Sequence, residues 1–220
     1  MRSETMRPAA LWLADEFFLI AHRDYDGKPR LNSSALTLGL AGTLLTELAL
    51  HRRIRINPQT LELIVANPDP PPDATAHAIL DQLIAEPEIM SIATWLQFLG
   101  QSSAQRVGDR LVRAGFVRPQ LVGPPWRRTI LYPPLDANEA ILPAVRIQGV
   151  ATQRQPVELA DALLIGFAAA TGLDGYLFQD LDAESRQFLR DVISQLPRTL
   201  MCLVAETKAA VGAAVLARRR

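Results

Sequence analysis

The sequence predicts a mainly α fold: a single compact helical domain with a buried central helix and two short β-hairpins. Three observations carry that expectation. Apolar residues recur at helical spacing along most of the chain, and the segment Ala35 to Leu50 is apolar almost all round. Pairs of short apolar runs also flank turn residues, once at Asn57-Pro58-Gln59-Thr60 and again at Gly123-Pro124-Pro125-Trp126-Arg127. At 220 residues the chain suits one domain over 1–220, with 1–10 and 216–220 expected as flexible tails.

The elements follow in order. Leu13, Phe17 and Ile20 repeat at helical spacing, with Asp15 and Glu16 where negative charge suits the helix dipole. Asp24-Tyr25-Asp26-Gly27 ends that helix in a turn, and Ser33 or Ser34 is expected to cap the central helix, which runs to about Arg53. Gly39 and Gly42 cost that helix roughly 1 kcal/mol each in propensity, which predicts close approach of a neighbouring helix backbone. Ile54–Ile56 and Leu61–Val65 form the first hairpin, and Pro68, Pro70, Pro71 and Pro72 stiffen the next loop. Asp73 opens a helix carrying Ile79, Leu80, Leu83 and Ile84. A second carries Ile89, Ile92, Ala93 and Leu96, and a third runs from about Ser102 to Ala114 with Gly115 as its stop. Phe116–Val122 and Arg128–Tyr132 make the second hairpin. Helices over about Pro156–Thr171, Ala183–Leu196 and Leu200–Ala217 complete the chain.

Composition narrows the function classes. Basic and acidic residues number 23 each, so an anionic ligand has to be held by a local patch. Lys28 and Lys208 are the only lysines; an arginine-dominated basic set beside many Ala, Leu and Pro residues suggests a high-GC, bacterial genome. Cys202 is the sole cysteine, in the apolar run Leu200–Ala205, so neither a disulfide nor a thiolate metal site is available. Asp15 and Glu16 interrupt the N-terminal region before a signal-peptide core can form, and Thr37, Thr43, Thr46 and Glu47 break up the longest apolar stretch. The expected location is therefore the cytoplasm, without a transmembrane segment.

No motif points to catalysis. Asp24-x-Asp26-Gly27 lacks the later acidic ligands of a calcium loop, and His22, His51 and His77 have no metal spacing. Gly39-x-x-Gly42 lacks the Gly-Lys-Ser/Thr ending of a phosphate loop, and Asp15 and Glu16 diverge on their helix. The expectation is a non-enzyme with no cofactor and no metal. His51-Arg52-Arg53-x-Arg55 complements a helix C-terminus without needing a ligand. Arg106, Arg110 and Arg113 form a basic stripe that a solvated face explains as well as a binding surface does. Trp126-Arg127-Arg128 at a proline-stiffened tip suits a bilayer interface, where Trp favours the headgroup level and arginines are drawn to anionic lipid. A Trp folded onto the core is the competing reading.

The acidic turn, Gly39-Leu40-Ala41-Gly42, and Glu47-Leu48-Ala49-Leu50 running into Arg52-Arg53-Ile54 together resemble the Golgi phosphoprotein 3 family. The resemblance is strongest over Leu11–Ile54 and over about Trp95–Leu135, where a helix ending in Gly115 and a hairpin with Tyr132-Pro133 recur. It implies a peripheral membrane protein, since the family's eukaryotic members read phosphatidylinositol-4-phosphate. It also implies that the phosphate is gripped by a Trp after the acidic turn, an Arg on the central helix, and two Arg at i, i+3 before the hairpin. Counting from Gly27, Gly42 and Gly115 places Asn32, Ala41, Gln101 and Ala104 at those positions. None of the gripping residues is retained, and uncharged side chains cannot supply charge-assisted bidentate bonds. Arg106 is no simple replacement, lying about 200° around the helix from Ala104.

The functional expectation is a protein with weak or altered anionic-lipid binding, through Arg30, Asn32, Arg106, Trp126, Arg127 and Arg128. It sits in the cytoplasm or on the cytoplasmic face of a membrane. Two other readings stand beside it. One is a winged-helix-like nucleic-acid binder built from the arginine-bearing helix and the hairpin, which the neutral net charge disfavours. The other is an interaction scaffold in which the hairpin binds a protein partner or a second copy.

Overall fold

Short polar side chains start the helices. In the computed structural model, which describes residues 11–88, 90–124 and 126–217, Asn32, Asp73, Asp136 and Asp182 each accept a backbone N–H from the turn that follows, at 2.7–3.0 Å. The elements are α1 (Leu13–Ala21), α2 (Ser33–Leu50), β1 (Ile54–Asn57), β2 (Glu62–Val65), α3 (Ala74–Ala85), α4 (Ile92–Arg113), β3 (Gln120–Val122), β4 (Thr129–Leu131), α5 (Ala137–Gln153), α6 (Leu159–Thr171), α7 (Asp174–Leu177), α8 (Ala183–Ser194) and α9 (Arg198–Ala217). The fold is mainly α, with β1–β2 and β3–β4 as separate antiparallel pairs.

Helix α2 is the centre. Its apolar perimeter packs against α4, α9, α1 and α6, and Ala35–Leu48 is buried apart from Thr37. Phe17, Leu40, Leu44, Leu48, Trp95 and Phe167 are among the side chains almost wholly removed from water.

Several sequence expectations are corrected. The cap of α2 is Asn32 rather than Ser33 or Ser34, and the helix ends at Leu50 rather than near Arg53 because Arg52 turns the chain with φ +56°. Gly39 and Gly42 do admit close neighbours, but these are side chains. A Cβ on Gly39 would lie 2.6 Å from the Phe17 ring, and one on Gly42 would lie 2.3 Å from Thr207 Oγ1. The second and third mid-chain helices are one continuous helix, α4, because Gly100 and Ser103 pack against α2 rather than breaking it; Ser103 Oγ donates to the Thr37 carbonyl at 2.8 Å. Ile89, expected in the first of these, lies outside the described residues.

Helix α5 was not foreseen. Pro143 stands inside it, where a proline usually ends a helix, yet Ala140, Pro143, Ile147 and Ala151 form one buried stripe whose packing outweighs the lost hydrogen bond. Leu216 and Ala217, expected in a tail, continue α9, while 1–10 and 218–220 lie outside the described residues. By length and composition α2 and α9 could each cross a membrane; α2 is 72% buried inside the fold, α9 only 28%.

Candidate functional site

The second hairpin stands on a packed base. Tyr132 is held between α1 and α4: its ring meets Phe18 edge-on at 5.8 Å, and its hydroxyl lies 3.3 Å from Asp109. Gly108 leaves the space for that ring, since a Cβ there would lie 2.6 Å from it. From the other side the acidic turn closes in. Gly27 has φ +66°, and a Cβ on it would lie 2.5 Å from the Pro133 backbone. Residues of the two regions that carry the resemblance, the acidic turn and Tyr132-Pro133, therefore touch.

Beyond this base the strands are exposed. Leu121 and Ile130 are cross-strand partners, so they share a face, and both lie open to solvent. Arg127 N–H donates to the Pro124 carbonyl at 2.9 Å, tightening the tip. Trp126 is 85% exposed, which decides between its two sequence readings: it does not fold onto the core. Arg127 and Arg128 are exposed and form no ion pair among the described residues. Pro125 lies outside the described residues.

The other candidate residues are not gathered there. Arg30 is occupied in local structure: Nε donates to the His22 carbonyl at 3.0 Å, Nη2 to Asp24 at 3.2 Å, and the guanidinium lies 4.1 Å from the centre of the Tyr176 ring. Asn32 spends its side-chain oxygen on the α2 cap. Ala41 is fully buried, Ala104 is partly buried against the core, and Gln101 is exposed. Arg106 Nε donates to Ser102 Oγ at 2.9 Å, one turn back along its own helix. No cationic group occupies any of the four positions at which the family resemblance places a phosphate grip.

The arginine stripe on α4 is solvated only in part: Arg113 is exposed and Arg106 half-buried, but its middle residue is not at the surface. Arg110 is buried, and its guanidinium donates to Asp15 at 2.7 Å, to both Glu47 oxygens at 2.9 and 3.0 Å, and to Asp73 at 3.2 Å. Asp15 does diverge from Glu16, which pairs with Arg146, but it converges with Glu47 and Asp73 on one cation. Burial pushes the Asp15 carboxyl up to about 6 against the pull of Arg110, and burial raises Glu47 in the same way. Burial would weaken the Arg110 charge, but Glu47 and Asp15 outweigh it and hold its pKa above the ordinary value. One signal could have revealed this cluster: Glu47 lies on a helix apolar all round, and a charge buried there requires a cation. The loss of Arg110 from the surface also removes the middle of the stripe that a winged-helix reading needs.

His22 is buried as well, stacked on Phe18 at 3.9 Å with Nδ1 2.7 Å from the Phe18 carbonyl. Burial holds its pKa down to about 4.

Among known families, the Golgi phosphoprotein 3 (GPP34) family matches this chain over residues 13–217. No curated protein matches it.

Proposed function

The chain belongs to the Golgi phosphoprotein 3 family, and from that premise we propose that it is a non-enzymatic peripheral membrane protein. In this reading it touches anionic phospholipid headgroups on the cytoplasmic face through the β3–β4 hairpin, with no selectivity for phosphatidylinositol-4-phosphate. The observation that carries the reading is Trp126, 85% exposed and followed by two arginines without ion-pair partners among the described residues. The absence of cationic side chains at Asn32, Ala41, Gln101 and Ala104 supports the lack of selectivity.

Magnitudes set the expected strength. Two arginines near an anionic surface contribute about 1 kcal/mol each. An indole buries roughly 200 Å² when fully covered, worth about 5 kcal/mol at ~25 cal/mol per Å², and partial entry into an interface gives about half. The sum, about 4–5 kcal/mol, corresponds to a millimolar-range dissociation constant. One hairpin is therefore a weak anchor, and firm attachment needs several copies or a protein partner.

The test is co-sedimentation with anionic vesicles at millimolar lipid, run beside a DNA mobility shift. Trp126→Ala with Arg127→Glu and Arg128→Glu should abolish sedimentation while leaving the circular dichroism spectrum unchanged. Parent-like sedimentation of that variant would refute the hairpin as anchor. A DNA shift without vesicle binding would favour the nucleic-acid reading.

A further inference from the structure

Helices α6, α7, α8 and α9 enclose a groove of about 810 Å³ that neither the hairpin nor the family grip explains. Its volume lies in the range of small-molecule sites, roughly 300–1,000 Å³. Apolar side chains from three helices line it: Ile165 of α6, Leu189 and Ile193 of α8, and Met201 and Val204 of α9. At one end Gly166 faces Val204 and Leu196, which would lie in ordinary van der Waals contact with a Cβ there, at 3.4 and 3.6 Å. At the other, Arg186 Nη2 donates to the Gln179 carbonyl at 2.9 Å.

The polar lining is lopsided in charge. Arg186, Arg190 and Lys208 line the groove against a single carboxylate, Asp174, in a chain whose net charge is zero. None of these four groups makes an ion pair among the described residues. Arg186 and Arg190 stand at i, i+4, one turn apart along α8. Helix α9, the least covered of the two long apolar helices, turns Met201 and Ala205 into this trough.

An occupant that matches both features has an apolar chain and one anionic end. We propose that the groove binds a free long-chain fatty carboxylate, with the alkyl chain along Ile165, Ile193, Met201 and Val204 and the carboxylate held by the Arg186, Arg190 and Lys208 group. Charge complementarity selects the anionic end, and a volume of about 810 Å³ lined by apolar side chains from three helices selects a chain over a compact acid. A neutral ester of the same chain keeps the burial but loses the charge-assisted bonds, so it should bind worse.

The experiment uses the full chain and a fluorescent dansyl-undecanoate probe at neutral pH, competed with oleate below its micelle concentration. The expected result is saturable one-site binding that oleate displaces and methyl oleate or inorganic phosphate does not. Arg186→Glu with Arg190→Glu should weaken binding by at least about tenfold, the loss of one charge-assisted bond or more. Ala169→Trp, which fills the trough from α6, should abolish it. Both variants are checked for a parent-like circular dichroism spectrum, and a second trough filler, Ala205→Leu, covers the case in which Ala169→Trp does not fold. The hairpin variant should bind the probe like the parent, which separates this proposal from the membrane reading. Equal competition by methyl oleate, or parent-like binding by the trough-filling variants, overturns the proposal. So does a parent that takes up no probe, including one that sediments as a dimer which Ala169→Trp makes monomeric; the groove would then seat a second copy.

Discussion

Replacing Arg110 by methionine removes the only cation that pairs with Asp15, Glu47 and Asp73 among the described residues while keeping much of the side-chain volume. The guanidinium makes bonds of 2.7–3.2 Å to all three carboxylates. Without it, Asp15 must be neutral in the folded state. Against an ordinary value of 3.8, protonating it costs about 1.36 kcal/mol per pH unit above that value, or roughly 6 kcal/mol at pH 8 and under 2 kcal/mol at pH 5. The parent already carries part of this cost, because its Asp15 titrates at about 6, equivalent to about 3 kcal/mol at pH 8. The difference chargeable to the substitution through Asp15 is therefore about 3 kcal/mol at pH 8 and close to zero at pH 5. Glu47, raised in the same direction, adds to the first figure, in line with the roughly 3–5 kcal/mol expected for breaking a buried ion pair. Urea unfolding of parent and variant, followed by circular dichroism at pH 5 and pH 8, reads both numbers. A loss below about 1 kcal/mol at pH 8, or an equal loss at the two pH values, would refute the account of the cluster as an overcharged, Arg-dependent site.

Between about pH 4 and 6 the parent's stability should fall only gently, by what the raised Glu47 carboxyl adds to a nearly cancelling pair, Asp15 and His22. Asp15, with its folded pKa raised from 3.8 to about 6, destabilises as pH rises through that window, whereas His22, lowered from 6.5 to about 4, stabilises over nearly the same range. His22→Gln should steepen that fall in urea titrations, and a profile no steeper than the parent's would contradict the opposing pair. Imidazole resonances of His22 should show no protonation above about pH 5, and a midpoint near 6.5 would place the ring in water. Gly27→Ala should destabilise by more than the ~1 kcal/mol that left-handed geometry alone costs, because its Cβ would meet the Pro133 backbone at 2.5 Å; thermal melts that match the parent would remove the turn as a brace for the hairpin. Vesicles containing phosphatidylinositol-4-phosphate should bind no better than vesicles of equal charge from other anionic lipids, and a clear preference would show a rebuilt grip.

Local sequence determined much of this protein. Helical periodicity, the Asp73 cap and the turn residues around β1–β2 and β3–β4 act within a few positions, so they are readable from neighbours alone, as is the all-round apolarity that puts α2 at the centre. Tertiary contacts decided the rest. Pro143 stays helical because its stripe has a core to pack on, and α4 runs through Gly100 and Ser103 because α2 receives them. Asp15, Glu47, Asp73 and Arg110 are separated by up to 95 positions, and no local rule brings them together. The same holds for exposure. Sequence puts Arg110 on a solvated or ligand-binding stripe and gives Trp126 equal claim to surface or core, and only the packing of α1, α2 and α4 buries the arginine while the hairpin, braced at Gly27 and Tyr132, holds the tryptophan in water.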